Sequence, residues 1–193
     1  MTTPLLDKTV IGLLGKPASG KGTIAQILQE ELGAGRVTRC SSGQLLSEMA
    51  DLLDLPKTRD NLQRLPVIID QEFGRGTISR AMGKRLGAQE TEVVIWDGVR
   101  WPTDQELIRT ASKHLIIYVF APQVVRYGRA RARGEKPGET EMTLGRFLQE
   151  DSAPTEAQVE NIGTYADLII QNDENCTLED LRTIVRKFLD AHL

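Results

Sequence analysis

Short apolar runs alternate with longer amphipathic stretches along this chain. The apolar runs are rich in β-branched residues and predict buried strands, which fall at 9–14, 37–40, 93–96, 115–120 and 168–170. Apolar residues at helical spacing predict helices at 23–32, 45–53, 104–112, 122–133 and 178–192. A further helical stretch covers 60–85, and the helical segments from 45 to 85 are expected to be interrupted at Pro56, Pro66 and Gly74.

This alternation predicts an α/β fold. The strands are continuously apolar, which is typical of a parallel sheet covered by helices on both faces. We therefore expect a three-layer sandwich around a five-stranded parallel sheet, in one domain over residues 1–193, with its core at 1–40, 87–133 and 163–193. The segments 41–86 and 134–162 fit the alternation less well. Both follow the C-terminal ends of core segments, where α/β proteins bind ligands, so we expect two lobes over a site.

Composition excludes several classes of protein. The net charge of −3 excludes the strongly basic surface that drives non-specific nucleic-acid binding, so no nucleic-acid polymer is expected as a partner. No apolar run approaches the ~20 residues that span a membrane, and the first residues do not resemble a signal peptide. Cys40 and Cys176 lack metal-ligand spacing, which favours two reduced thiols and a cytoplasmic location. Arginine outnumbers lysine among the 24 basic residues, which leaves room for a local anion site.

The strongest local signal is the sequence GKPASGKGT at 15–23, which fits the pattern G-x4-G-K between the first predicted strand and the first predicted helix. Glycines let the backbone curl so that successive N–H groups point at phosphate oxygens, and the helix N-terminus adds partial positive charge. Lys21 supplies a full charge for terminal phosphates of a nucleoside triphosphate. The expected phosphate-binding residues are Gly15, Pro17, Ala18, Ser19, Gly20, Lys21, Gly22 and Thr23.

An acidic residue follows the third predicted strand. Asp97 is expected beside the phosphate loop, where its carboxylate can hold the hydration shell of Mg²⁺. Most phosphate loops place a Mg²⁺-binding Ser or Thr directly after the lysine, whereas here Gly22 takes that position and Thr23 follows. Asp97 and Thr23 are therefore the candidate metal-site residues.

Four arginines lie within eight positions of one predicted helix. Arg126, Arg129 and Arg133 share a face at i, i+3 and i+7, whereas Arg131 points elsewhere. Mutually repelling cations on one face indicate an anion nearby, and arginines are the usual source of catalysis in phosphoryl transfer.

These motifs together resemble the nucleoside monophosphate kinases. The loop is similar to the GxPGSGKGT loop of adenylate kinases, with Ala18 in place of a glycine, a mild change unless that position needs a positive φ. The sequence DGVR at 97–100 resembles DGFPR of adenylate kinases and, more closely, DGxR of archaeal and bacterial dephospho-CoA-kinase-related proteins. The resemblance implies a P-loop kinase fold that binds ATP and Mg²⁺, with Lys21, Asp97, Arg129 and Arg133 as catalytic residues.

The resemblance also assigns roles to the two lobes, so we name residues 41–86 the acceptor lobe and residues 134–162 the lid. SGQLLS at 42–47 is similar to the acceptor-binding segment TGDLLR, and TRDNLQ at 58–63 resembles deoxynucleotide monophosphate kinases. The implied acceptor-binding residues are Ser42, Gly43, Arg59 and Arg100. The chain departs from the family at Ser47 and Ser152, where arginines are usual. Asp151 is then expected to orient the arginine helix or to lie in a solvated loop.

The resemblance implies transfer of the γ-phosphoryl group of ATP to a nucleoside or deoxynucleoside monophosphate, by a monomer or homodimer. A dephospho-CoA kinase is the first alternative. Its acceptor is a hydroxyl group, and transfer to a hydroxyl benefits from a carboxylate base. The helix at 23–32 offers only Glu30 and Glu31 for this role, which weakens the alternative. A non-catalytic ATP-binding switch is the second, and the arginine helix argues against it.

Overall fold

The computed structural model describes residues 5, 7–33, 35–134 and 140–193. Its centre is a five-stranded parallel sheet with strand order β2-β3-β1-β4-β5. The strands are β1 (Thr9–Leu14), β2 (Val37–Ser41), β3 (Val93–Val99), β4 (Lys113–Phe120) and β5 (Leu168–Gln171). The predicted α/β class and the five parallel strands are confirmed. β3 continues three residues past its predicted end. The neighbouring strands β2 and β1 still pair with it there, with Ser41 opposite Asp97 and Leu14 opposite Val99.

Helices cover both faces of the sheet. They are α1 (Lys21–Leu32), α2 (Ser42–Leu52), α3 (Arg59–Phe73), α4 (Thr77–Gly87), α5 (Pro102–Ile108), α6 (Gln123–Arg133), α7 (Leu144–Asp151), α8 (Pro154–Ala157), α9 (Val159–Gly163) and α10 (Leu178–His192). On one face, Ile11 and Leu13 of β1 pack against α1 and α10. On the other, Val10 and Leu14 pack against α4, α5 and α9. Successive β1 side chains thus enter opposite cores, which explains a strand buried along its whole length.

The acceptor lobe contains α2, α3 and α4. Gly74 ends α3 with a φ of 91°, as expected of an interruption. The expected interruption at Pro66 is wrong, because α3 continues through this proline. Proline removes one backbone donor, but the buried Leu65 and Pro66 hold the helix against its neighbours, so packing outweighs the local preference.

The described part of the lid contains α7, α8 and α9, and residues 135–139 of the expected lid lie outside the described residues. Phe147 of α7 is buried in a small apolar cluster with Ala130 of α6 and Met142. The lid is therefore packed against the arginine helix. Among the described residues, no helix is long and apolar enough to cross a membrane.

Candidate functional site

The loop between β1 and α1 curls tightly at the C-terminal edge of the sheet. Gly20 has a φ of 104°, and a Cβ there would lie 2.1 Å from the Asn172 side-chain nitrogen. A Cβ at Gly15 would lie 2.4 Å from the Val119 carbonyl oxygen, so both positions require glycine. Ala18 has a φ of 60°, a left-handed conformation that costs a residue with a side chain about 1–2 kcal/mol. The alanine at this position is thus not a mild change but a strained one.

Lys21 begins α1, and its ammonium group turns back onto the loop. Nζ donates to the carbonyl oxygens of Gly15, at 2.6 Å, and Lys16, at 3.0 Å. Burial is the main reason that the pKa of Lys21 falls to about 7, and the positive charge of Arg100 lowers it further. Asp97 and Glu156 oppose this decrease. A further negative charge that enters the site would therefore favour the protonated form of Lys21 and raise its pKa.

Asp97 lies in β3 beside the loop, at the edge where the strands end. Its Oδ2 accepts hydrogen bonds from both Nε and a terminal nitrogen of Arg39, which lies on the neighbouring strand β2, with Nε at 3.2 Å. The Asp97 side chain is buried, whereas the Arg39 side chain is 36% exposed. The carboxylate expected at the metal site is thus paired with an arginine that the motifs did not indicate.

Arg100 follows β3 and reaches toward the loop. Its guanidinium donates to the Gly15 carbonyl oxygen at 3.3 Å, and its Nε lies 3.3 Å from an oxygen of Glu156 on α8. The buried carboxylate of Asp104 accepts the backbone N–H of Arg100 at 2.8 Å. The Arg100 backbone is therefore held by Asp104, and its side chain is held by Glu156 of the lid.

The arginines of α6 divide into two groups. Arg129 lines the cleft and donates to the backbone and side-chain oxygens of Asn172 and to the Asp173 carbonyl. Arg133 lines the same cleft, close enough to lower the pKa of Lys21. Arg126 instead is buried and forms two hydrogen bonds with Asp151 of α7, at 2.5 and 2.9 Å. Arg126 shares a helical face with the other two but serves to anchor the lid.

An ion pair joins the acceptor lobe to the lid. Arg59, at the start of α3, places Nε 3.1 Å from Oε2 of Glu150 on α7, with both side chains largely buried. Gln63 of α3 also donates to the Glu150 carbonyl, at 3.3 Å. Ser42 begins α2, and its hydroxyl accepts the indole N–H of Trp96 at 2.8 Å. Ser42 is thus oriented by the core.

These groups surround one cleft with a volume of about 970 Å³, within the size range of small-molecule sites. Most of the expected site residues line it: Pro17, Ala18, Gly20, Lys21, Gly22, Thr23, Ser42, Gly43, Arg59, Asp97, Arg100, Arg129 and Arg133. Gly15 and Ser19 do not line it and lie buried in the loop. The Ser19 hydroxyl has no hydrogen-bond partner among the described residues.

The donor set fits ATP and Mg²⁺. The curled loop, the start of α1 and Lys21 provide donors for phosphate oxygens. Among the described residues, no three His, Cys, Asp or Glu side chains cluster as a metal site. Asp97 and Thr23 line the cleft beside the loop, and their oxygen atoms fit Mg²⁺, which keeps several waters and is bound mainly by phosphates.

Sequence reasoning missed the partners of the cleft's cations. Arg39, Glu150 and Glu156 are each distant in sequence from the residue they contact, and Asp104 acts through the backbone. A charged residue within the short second strand was the one available signal for Arg39. Glu150 and Glu156 had no distinguishing signal within the acid-rich lid.

Known proteins resemble this chain along most of its length. Residues 14–144 match the family model described as an AAA domain. A UPF0200 protein of Pyrococcus horikoshii is 27% identical over 194 residues, which cover 95% of this chain and 97% of the relative.

Solved structures share the fold. Shikimate kinase from Bacteroides thetaiotaomicron superposes with a TM-score of 0.60 at 14% identity, covering 95% of this chain and 97% of the other. A protein of Thermus thermophilus gives a TM-score of 0.60 at 19% identity, covering 96% and 98%. At these identities the likeness establishes architecture, and the chain has a P-loop kinase-like fold.

Proposed function

The chain belongs to the AAA domain family, and from this premise we propose that it is an ATP-dependent phosphotransferase acting on a nucleoside or deoxynucleoside monophosphate. One observation carries the proposal: Lys21 of the phosphate loop and the cations Arg59, Arg100, Arg129 and Arg133 line the same cleft. A donor triphosphate and an anionic acceptor bring concentrated negative charge together, and such a convergence of cations stabilises it.

The donor half of the cleft is formed by the loop. Backbone N–H groups from Gly20 to Thr23, which line the cleft, and the ammonium of Lys21 bind the donor phosphates. Asp97 and Thr23 would hold the waters of Mg²⁺, which would supply positive charge beside the phosphate oxygens. Arg129 and Arg133 act on the transferring phosphoryl group, where positive charge lowers the barrier.

The acceptor half lies between Arg100, Arg59 and the start of α2, with Ser42 and Gly43. Arg59 and Arg100 contact the carboxylates of Glu150 and Glu156. An acceptor phosphate takes the place of these carboxylates on the same guanidinium groups, since both anions accept in the same geometry. An attacking phosphate oxygen is already anionic, so this transfer needs no general base.

The test is an acceptor screen with purified protein. ADP formation from ATP and Mg²⁺ is measured with each ribonucleoside and deoxynucleoside monophosphate, with dephospho-CoA, and without acceptor. One monophosphate is expected to stimulate turnover, and Arg100→Ala to raise its KM about tenfold or more, the effect of losing a charge-assisted hydrogen bond. Arg109→Ala is the matched control, since Arg109 is exposed and contacts the Tyr165 carbonyl. Tight ATP binding without turnover on any acceptor contradicts the proposal and favours a regulatory switch.

A second candidate function is transfer to a hydroxyl, as in a dephospho-CoA kinase. Glu156 favours it, because this buried carboxylate lines the cleft beside Arg100, with Oε2 3.3 Å from the Arg100 Nε. A carboxylate at this place can accept the proton of an attacking hydroxyl. Glu156→Gln is then expected to lower kcat with dephospho-CoA, whereas a monophosphate acceptor is little affected.

The proposal also retains a cytoplasmic location. Cys40 and Cys176 are free thiols, which suits a reducing compartment.

A further inference from the structure

Arg39 lies where the motifs of the site predict no cation. It is part of β2, lines the cleft and pairs with Asp97 of the neighbouring β3. Its guanidinium also lies beside the phosphate loop, since a Cβ at Gly22 would be 3.9 Å from a terminal nitrogen of Arg39. Arg39 therefore adjoins both the loop that faces the donor phosphates and the carboxylate expected to hold metal waters.

The position of Gly22 connects this arginine with the unusual loop sequence. Phosphate loops commonly carry a Ser or Thr directly after the lysine, and its hydroxyl binds Mg²⁺. In this chain that position has no side chain, and the direction in which one would project leads toward the Arg39 guanidinium. A fixed cation thus borders the place where other loops present a metal ligand.

The ion pair does not serve mainly to join the two strands. β2 and β3 are already paired in register over five residues, from Val37 opposite Val93 to Ser41 opposite Asp97. The neighbouring Cys40 and Trp96 are buried in the same apolar cluster. Arg39 itself is partly exposed, whereas Asp97 is not, so the arginine is the partner that can move.

We propose that Arg39 competes with the divalent cation for Asp97 and so allows the nucleotide to bind without metal. Without Mg²⁺, the guanidinium neutralises a carboxylate that otherwise repels the donor phosphates at close range. When Mg²⁺ arrives with the phosphates, its waters take over Asp97 and Arg39 is released. The inference rests on the donor half of the proposed function and is independent of the acceptor.

The test measures ATP affinity by calorimetry, once in EDTA and once in excess Mg²⁺, for wild type, Arg39→Met and Arg39→Met/Asp97→Asn. Arg39→Met is expected to weaken ATP binding in EDTA by about tenfold or more, because the bare carboxylate then faces the phosphates. In excess Mg²⁺, the ATP affinity of Arg39→Met is expected to change less than threefold. The Mg²⁺ concentration that gives half-maximal ATP binding is expected to be lower for Arg39→Met than for wild type. Removing the carboxylate in the double variant is expected to restore binding in EDTA.

Two further variants keep the result interpretable. Arg39→Lys retains the charge and is expected to bind ATP in EDTA nearly as wild type does. Arg36→Met is the matched control, because Arg36 lies just before β2, is 70% exposed and pairs with Glu92. An equal loss in EDTA and in Mg²⁺, or no loss in either, overturns the proposal. Failure of wild type to bind ATP even with Mg²⁺ contradicts the proposed function itself.

Discussion

Lys21 links the charge of the site to the pH of its surroundings. Burial lowers its pKa to about 7, and its Nζ donates to the loop carbonyls of Gly15 and Lys16. Donor phosphates supply the negative charge that favours the protonated form. We therefore expect the proposed binding of ATP near neutral pH to be coupled to uptake of a proton by Lys21.

ATP affinity is accordingly expected to fall as pH rises from 7.5 to 9, by up to about tenfold per unit. Calorimetry in buffers of different ionisation enthalpy is expected to show proton uptake approaching one at pH 8. Stability of the free protein changes in the opposite direction. Between pH 7 and 10.5 the unfolded chain holds more protons on Lys21 than the folded one, so free-protein stability gains from this group as pH rises.

Lys21→Arg provides the control for this linkage, since a guanidinium stays charged over the whole range. It is expected to abolish the proton uptake at pH 8. An affinity that stays flat between pH 7.5 and 9 in wild type would contradict the coupling.

Single residues were predictable from the sequence where the chemistry is local. Lys21 lies in a contiguous motif, and Asp97 and Arg100 follow one predicted strand, so their place at the cleft could be predicted. Their partners could not, because Arg39 and Glu156 meet them only through the order of strands and the path of the lid. The strain at Ala18 likewise belongs to the folded loop, since a substitution shows no φ angle.

At the scale of elements, α6 and α7 behave as a unit. Arg126 of α6 and Asp151 of α7 are 5% and 4% exposed and form a paired hydrogen bond. Phe147 of α7 packs beside the same arginine, 5.6 Å from its guanidinium carbon to the ring centre. The pair sets the position of the helix that carries Arg129 and Arg133.

Asp151→Ala is expected to destabilise the protein by about 3–5 kcal/mol, because it leaves the Arg126 charge buried and unpaired. Urea unfolding followed by circular dichroism measures the loss. Asp60→Ala is the matched control, since the Asp60–Arg64 pair is exposed and worth at most about 1 kcal/mol. Equal effects of the two substitutions would show that α7 is not anchored by this pair.

The Arg126–Asp151 pair also makes the stability of the protein depend on pH in the acid range, in a direction that the pKa of Asp151 determines. Burial alone raises the pKa of Asp151, but hydrogen bonds and charge from Arg126 outweigh it and hold the pKa below the ordinary 3.8. The contribution to stability is complete above that value and is lost as pH falls through the folded pKa. The difference between wild type and Asp151→Ala is therefore expected to shrink below about pH 4.

Strong periodicity predicted most elements, and packing decided the remainder. The five strands and the helices α1, α6 and α10 follow from continuous apolar runs and 3.6-residue spacing. α3 continues through Pro66 because buried neighbours hold it, which a local breaker signal does not show. The lid helices α8 and α9 span only four and five residues, too short for a periodic pattern.

For the whole molecule, the cleft is covered by a contact between its two lobes. Arg59 and Gln63 of the acceptor lobe both bond to Glu150 of the lid, and the Arg59 side chain is 10% exposed. The sequence predicted two lobes over a site, but it did not predict that they touch. The acceptor lobe is rich in arginine and the lid is rich in acidic residues, so many ion pairs between them are possible. The contact makes one guanidinium serve both the closure of the cleft and, as proposed, the acceptor.

Arg59→Ala is expected to loosen both lobes at once. Loss of a largely buried ion pair lowers the free energy of local opening, and each tenfold increase in amide exchange corresponds to about 1.4 kcal/mol. Hydrogen–deuterium exchange is expected to accelerate about tenfold or more in α3 and α7, while the core strand β1 keeps its protection. Arg64→Ala, which removes an exposed arginine of the same helix, is expected to leave the exchange rates of α3 and α7 unchanged. Faster exchange confined to α3 would mean that Arg59 supports its own helix and that the lid is held closed by other contacts.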